Sequence, residues 1–175
     1  MNKSILLLLA TLCLVACGDG GQDVEPETKP VADTVLTLMK LQNHGQWYAT
    51  INRNVLSLDL YSNGLSFNDK GYIQGTGTNL YFSDIFVALE DTLLTEGMYT
   101  VDSTTLVHTA LPGLQLDGSA AGAYLLLIED SRIRQIILIK EGTFTVEQDD
   151  SLRLDFHLTT ADDQTYHATY VGNPE

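Results

Sequence analysis

The chain has 175 residues, with 9 Lys+Arg against 23 Asp+Glu and a formal net charge of −14. A surface this acidic is repelled by nucleic acid and by anionic lipid headgroups, so the favoured partners are cationic, if the charge does more than keep the chain soluble. About 140 residues from Thr34 onward suffice for one domain with a real core and are too few for two.

The first sixteen residues have the order of parts of an export signal. Lys3 supplies a positive start, and Ile5 to Val15 is apolar except for Thr11. That run is too short to stay in a bilayer as a spanning helix. Leu14-Val15-Ala16-Cys17 resembles the lipobox of bacterial lipoproteins. The resemblance implies cleavage before Cys17, a diacylglycerol on its thiol and usually an acyl chain on the new amino group. As an ordinary thiol, Cys17 could pair only with Cys13, which lies in the segment to be removed. Each buried CH₂ contributes about 0.8 kcal/mol, so two or more chains anchor a protein stably. With Lys3 removed, 8 cations face 23 carboxylates and the net charge becomes −15.

Residues 17–33 read as the lipidated cysteine and a flexible acidic tether. Gly18, Gly20, Gly21, Pro26 and Pro30 disfavour helix and strand, and Asp19, Asp23, Glu25 and Glu27 keep the segment solvated. A coil of this length reaches about 20–25 Å on average. Acidic residues after the cysteine are similar to those of small Bacteroidetes lipoproteins, in which they mark export to the cell surface. That resemblance implies residence on the bacterial outer membrane. A plain solvated linker explains the composition equally well.

Residues 34–175 form the domain, and their hydrophobic period is two. Leu56, Leu58 and Leu60 alternate with Ser57, Asp59 and Tyr61. Residues 85–94, IFVALEDTLL, are the best candidate for a turn of helix. Five short strands come after it at 123–129, 133–140, 143–147, 152–160 and 165–171. Phe144 and Val146 alternate with Thr143 and Thr145, and Leu152, Leu154, Phe156 and Leu158 alternate with Arg153, Asp155 and His157. Each pattern gives one buried and one wet face of an antiparallel sheet. Turn signals at Asn43-His44-Gly45, Ser62-Asn63-Gly64, Asn68–Gly71, Leu116-Asp117-Gly118, Gln148–Asp150 and Ala161–Asp163 separate about nine or ten strands. The fold class is therefore all-β, an antiparallel meander closing into a barrel or folding into a sandwich. Closure removes exposed edges and favours the barrel.

EGMYTV (96–101) echoes EGTFTV (141–146), placing a glycine before an aromatic residue in each. Either two similar halves or a recurring hairpin device would produce this. The stretches GTGTNLYFSDIF, EGMYTVDS and EGTFTVEQDDSLRLDFHLTTADDQTYHATYVG are similar to those of small Bacteroidetes lipoproteins that pair a lipobox with a β-rich domain, some of them lipocalin-like (calycin) barrels. This likeness covers about residues 71 to 172.

No catalytic motif stands out. The chain lacks G-x-S-x-G, a Walker loop and a calcium loop, and Gly75-Thr76-Gly77 sits between strands, where it reads as a bend. Nothing calls for a cofactor. The favoured expectation is a membrane-anchored, non-enzymatic binding or adhesion module. The alternatives are a lipocalin-like carrier of a small apolar ligand and, less favoured, a carbohydrate-active enzyme. Tyr124, Leu126 and Ile128 on one face, and Leu125 and Leu127 on the other, make 123–139 apolar on both faces. That predicts cover by a helical turn at 85–94, by the N-terminal strand, or by self-association. Finally, if Leu154, Phe156 and Leu158 point inward opposite Tyr166, Ala168 and Tyr170, the register sets His157 against His167 on the outer face. Two such imidazoles hold a metal only with a third ligand, for which Asp155 is the candidate. Solvated histidines are the simpler account.

Overall fold

The computed structural model describes residues 33–173. The export signal, Cys17 and all of the tether but Asp33 lie outside the described residues. Among the described residues there are thirteen strands: β1 (Thr34–Asn43), β2 (Asn54–Ser62), β3 (Leu65–Phe67), β4 (Ile73–Gly75), β5 (Gly77–Val87), β6 (Gly97–Val101), β7 (Thr109–Ala110), β8 (Leu114–Leu116), β9 (Ser119–Ala121), β10 (Ala123–Glu129), β11 (Arg132–Gln148), β12 (Leu152–Thr160) and β13 (Thr165–Gly172). Nine of them form one sheet, and β3–β4 and β8–β9 are separate hairpins. The domain is all-β, as its period predicts.

The main sheet closes on itself. β5 pairs with β2 along one edge and with β10 along the other, and β11 pairs with both β10 and β12. The ring is completed through β13 and β1. Where β10 ends short of the far rim, β7 and β6 fill the gap between β5 and β11. The sheet is not a pure antiparallel meander. β1 runs parallel to β13, with Thr34 opposite Ala168 and Leu36 opposite Tyr170, and β6 runs parallel to β7. An antiparallel meander with an odd number of strands cannot close with every neighbour antiparallel. The ring through β10 has seven strands, and β1–β13 is its one parallel seam.

Two local expectations are corrected. Residues 133–140 and 143–147 are not separate strands. They are one strand, β11, bent at a bulge between Ile139 and Glu141. Gly142, with φ of 139°, carries the chain through that bend. Nor is there a helical turn at 85–94. Ile85–Val87 continue β5 because β2 and β7 both pair with them, and the chain then makes a single turn closed by Asp91 N donating to Ala88 O at 3.1 Å.

The echoed segments turn out to be partners. Gly97 lies opposite Val146, Tyr99 opposite Phe144 and Val101 opposite Gly142, so the two copies pair antiparallel about a local two-fold centred on Tyr99 and Phe144. Their rings stack with centroids 4.7 Å apart and planes 10° from parallel. Phe144 also lies 5.2 Å from Phe156 and 5.4 Å from Phe82. These four rings are fully buried and fill the middle of the barrel. Burying each stabilises the fold by about 1.5–3 kcal/mol. Leu58, Leu60, Leu80 and Leu154 pack around them at 0% exposure.

The outer face is covered at one end. The β3–β4 hairpin lays Leu65, Phe67 and Ile73 over Tyr61, Leu126 and Ile128, with Leu38 of β1 alongside. The apolar outer face of β10 therefore has a cover, supplied mainly by this hairpin and in part by the N-terminal strand. Cover stops short of β11, where Ile133 and Ile136 stand open at 57% and 40% exposure.

A side chain at Gly142 meets backbone. An added Cβ would lie 2.4 Å from His157 O and 2.7 Å from Leu158 Cα. Gly142→Ala should cost about 2 kcal/mol or more in urea unfolding. Gly118→Ala, also at positive φ but with nothing within 4 Å, should cost about 1 kcal/mol.

Candidate functional site

β1 begins beside Ala168 and ends beside Leu56, so Thr34 and Asn43 mark opposite ends of the barrel. Ten residues at about 3.3 Å each put those ends about 30 Å apart. The loop 44–53 therefore sits at the end away from Asp33. It folds back over the outer face of β5, where Tyr48 packs against Phe86 with ring centroids 6.1 Å apart.

Beneath this loop is a hollow of about 250 Å³, lined by His44, Trp47, Tyr48, Tyr81, Ser83 and Asp84, with Val55 at its base. Trp47 is 68% exposed and meets the His44 ring edge-to-face at 6.0 Å. Tyr48 Oη donates to Asp84 Oδ1 at 2.6 Å, and Ser83 Oγ donates to Asp84 Oδ2. Ser83 Oγ accepts in turn from Gly122 N at 2.9 Å. The hydrogen bond to Asp84, then burial, pushes the Tyr48 phenol up to about 12. His44 Nε2 lies 2.9 Å from Ser57 Oγ. Ser57 is only 8% exposed, so this pair ties the loop to the sheet and does not present a nucleophile.

A second polar group extends the face toward the covering hairpin. Asp59 accepts from Tyr61 Oη and from Asn79 Nδ2, and Tyr81 lies against Tyr124 at 5.1 Å. Burial is the largest influence on Asp59 and raises its carboxyl above the usual range, against the Tyr61 and Asn79 hydrogen bonds and the Lys40 charge. Burial also pushes Tyr124 up to about 12. Lys40 Nζ stands 3.5 Å over the Phe67 ring centroid, a cation–π contact. More carboxylates crowd the same end as the hollow. Glu90 and Asp91 come after β5, Glu96 precedes β6, and Asp149 and Asp150 join β11 to β12.

His157 and His167 pair as the register argument requires. They are directly opposed, with ring centroids 4.5 Å apart. His157 Nε2 is 3.3 Å from Asp155 Oδ1, and His167 Nδ1 is 3.9 Å from Asp33 Oδ1. Among the described residues no group of three or more His, Cys, Asp and Glu could hold a metal ion. Motif and period do not single out His44, Trp47, Tyr48, Tyr81 or Asp84 in the sequence. The available signal was Trp47-Tyr48 beside Gly45, two large aromatics in a stretch rich in turn formers.

The chain has no significant match among protein-family models, curated proteins or solved structures.

A carboxyl held above its ordinary value binds its proton more tightly in the folded state. Its stabilising contribution is full in acid and is lost as pH rises through the folded value. Asp59→Asn should remove this pH dependence, so the parent should gain on the variant as pH falls from 7 toward 4, measured by urea midpoints. A variant losing stability equally at every pH would contradict this. For the histidine pair, added Zn²⁺ should leave the melting temperature unmoved, and a rise abolished by His167→Ala would show a metal site.

Proposed function

We propose that this chain is a lipid-anchored extracytoplasmic lipoprotein of the bacterial outer membrane, and that its β domain is a non-enzymatic binding module. Anchoring rests on Leu14-Val15-Ala16-Cys17 behind a charged start and an apolar run. The observation that carries the binding role is the placement of the hollow. It opens on the outside of the barrel, at the end opposite Thr34, so a tether joined there presents it away from the bilayer. The ring cluster of Phe82, Tyr99, Phe144 and Phe156 occupies the interior, which favours an external site over a carrier's internal one.

The anchor is tested on the protein expressed from the full chain in a bacterial host. Mass spectrometry should find the N-terminal peptide starting at Cys17 with acyl chains attached. Cys17→Ala should move the protein from the detergent phase to the aqueous phase on Triton X-114 partition. An unmodified Cys17 behind an intact signal refutes the anchor.

A further inference from the structure

Resting on that binding-module reading, we propose that the hollow under the loop 44–53 binds an organic ammonium ion, with Trp47, Tyr48 and Tyr81 supplying aromatic surface and Asp84 the counter-charge. An alkylated ammonium cannot use many hydrogen-bond acceptors. It is held by π-systems and by negative charge in a partly dry recess. The hollow offers those two things. Three aromatic side chains and one carboxylate line about 250 Å³, enough for a compact cationic head group whose remainder extends into solvent.

The state of the polar groups argues against a neutral polyol. Both oxygens of Asp84 already accept hydroxyls, from Tyr48 and from Ser83. Ser83 Oγ is further engaged by Gly122 N, and His44 Nε2 by Ser57. Groups satisfied by one another leave charge and ring surface as the main attraction. The same pairing leaves Asp84 poorly disposed to ligate a metal ion. The setting adds a longer-range pull: Glu90, Asp91, Glu96, Asp149 and Asp150 stand at the same end, against Arg53 in the loop itself. A mature chain of charge −15 concentrates cations around it.

The test exploits Trp47, the chain's single tryptophan. The mature protein is titrated with choline chloride, with sodium chloride at matched ionic strength as the blank, and its fluorescence is monitored. 3,3-Dimethyl-1-butanol is the neutral isostere, and glucose stands for polyols. Choline should give a saturable change, with affinity at least tenfold above the isostere, and no such change should come from glucose. Asp84→Asn, checked for folding by circular dichroism, should remove the preference for choline over the isostere. If that variant does not fold, Tyr81→Leu should weaken choline at least tenfold. Equal affinity for choline and its isostere, or no saturable response to choline, overturns the proposal. Saturation by glucose alone would overturn the ligand class and leave the binding module standing. The acylation of Cys17 is read out separately and is unaffected by any of these results.

Discussion

The architecture depends on two strands that each serve two neighbours along one edge. β5 gives the first part of an edge to β10 and the last part to β7, while β11 gives its first half to β10 and its second half to β6. Eleven and seventeen residues long, they are the longest strands of the domain. Because each is shared in this way, the ring of seven strands through β10 gives way at the other rim to one of eight through β7 and β6. The packing of the interior is a consequence of that closure. Inward side chains have nowhere to go but the middle, and four aromatic rings meet there. Phe144 stands between its cross-strand partners Tyr99 of β6 and Phe156 of β12, so the three rings lie next to one another across the sheet.

Much of this was legible in the sequence because strand alternation is a local signal. Leu56, Leu58 and Leu60 announced their inward face, and the need to bury Leu154, Phe156 and Leu158 fixed the β12–β13 register closely enough to place His157 opposite His167. What escaped was non-local. Nothing in β1 or β13 alone says that they run parallel. Gly142 reads equally well as the end of a strand or as a bulge inside one. The repeat of EGMYTV in EGTFTV was visible, but that the copies pair with each other is a fact of three-dimensional closure. The hollow was hidden for the same reason, since Tyr48 and Asp84 are 36 residues apart and meet only because a loop folds back across β5.

A filled barrel shifts chemistry to its outside. The outer face of β2 and β5 is unusual for a solvent-facing surface in that it carries carboxylates committed to internal hydrogen bonds, Asp59 with Tyr61 and Asn79, and Asp84 with Tyr48 and Ser83. Both are tyrosine–carboxylate contacts under partial cover, one next to the β3–β4 hairpin and one beneath the loop 44–53. Buried negative charge of this kind is costly to the fold unless it is hydrogen-bonded. At Asp59 the raised carboxyl shows that the hydrogen bonds do not fully offset that cost.

The parallel seam between β1 and β13 has a mechanical side. A pull on Asp33 acts along β1, whose ladders to β13 and β2 lie side by side with it. Such a load shears many backbone hydrogen bonds at once and cannot peel them off one after another. Flow or drag on a domain held by its first strand would therefore be borne by both ladders together, so the strand that would receive the tether is also well placed to resist extraction.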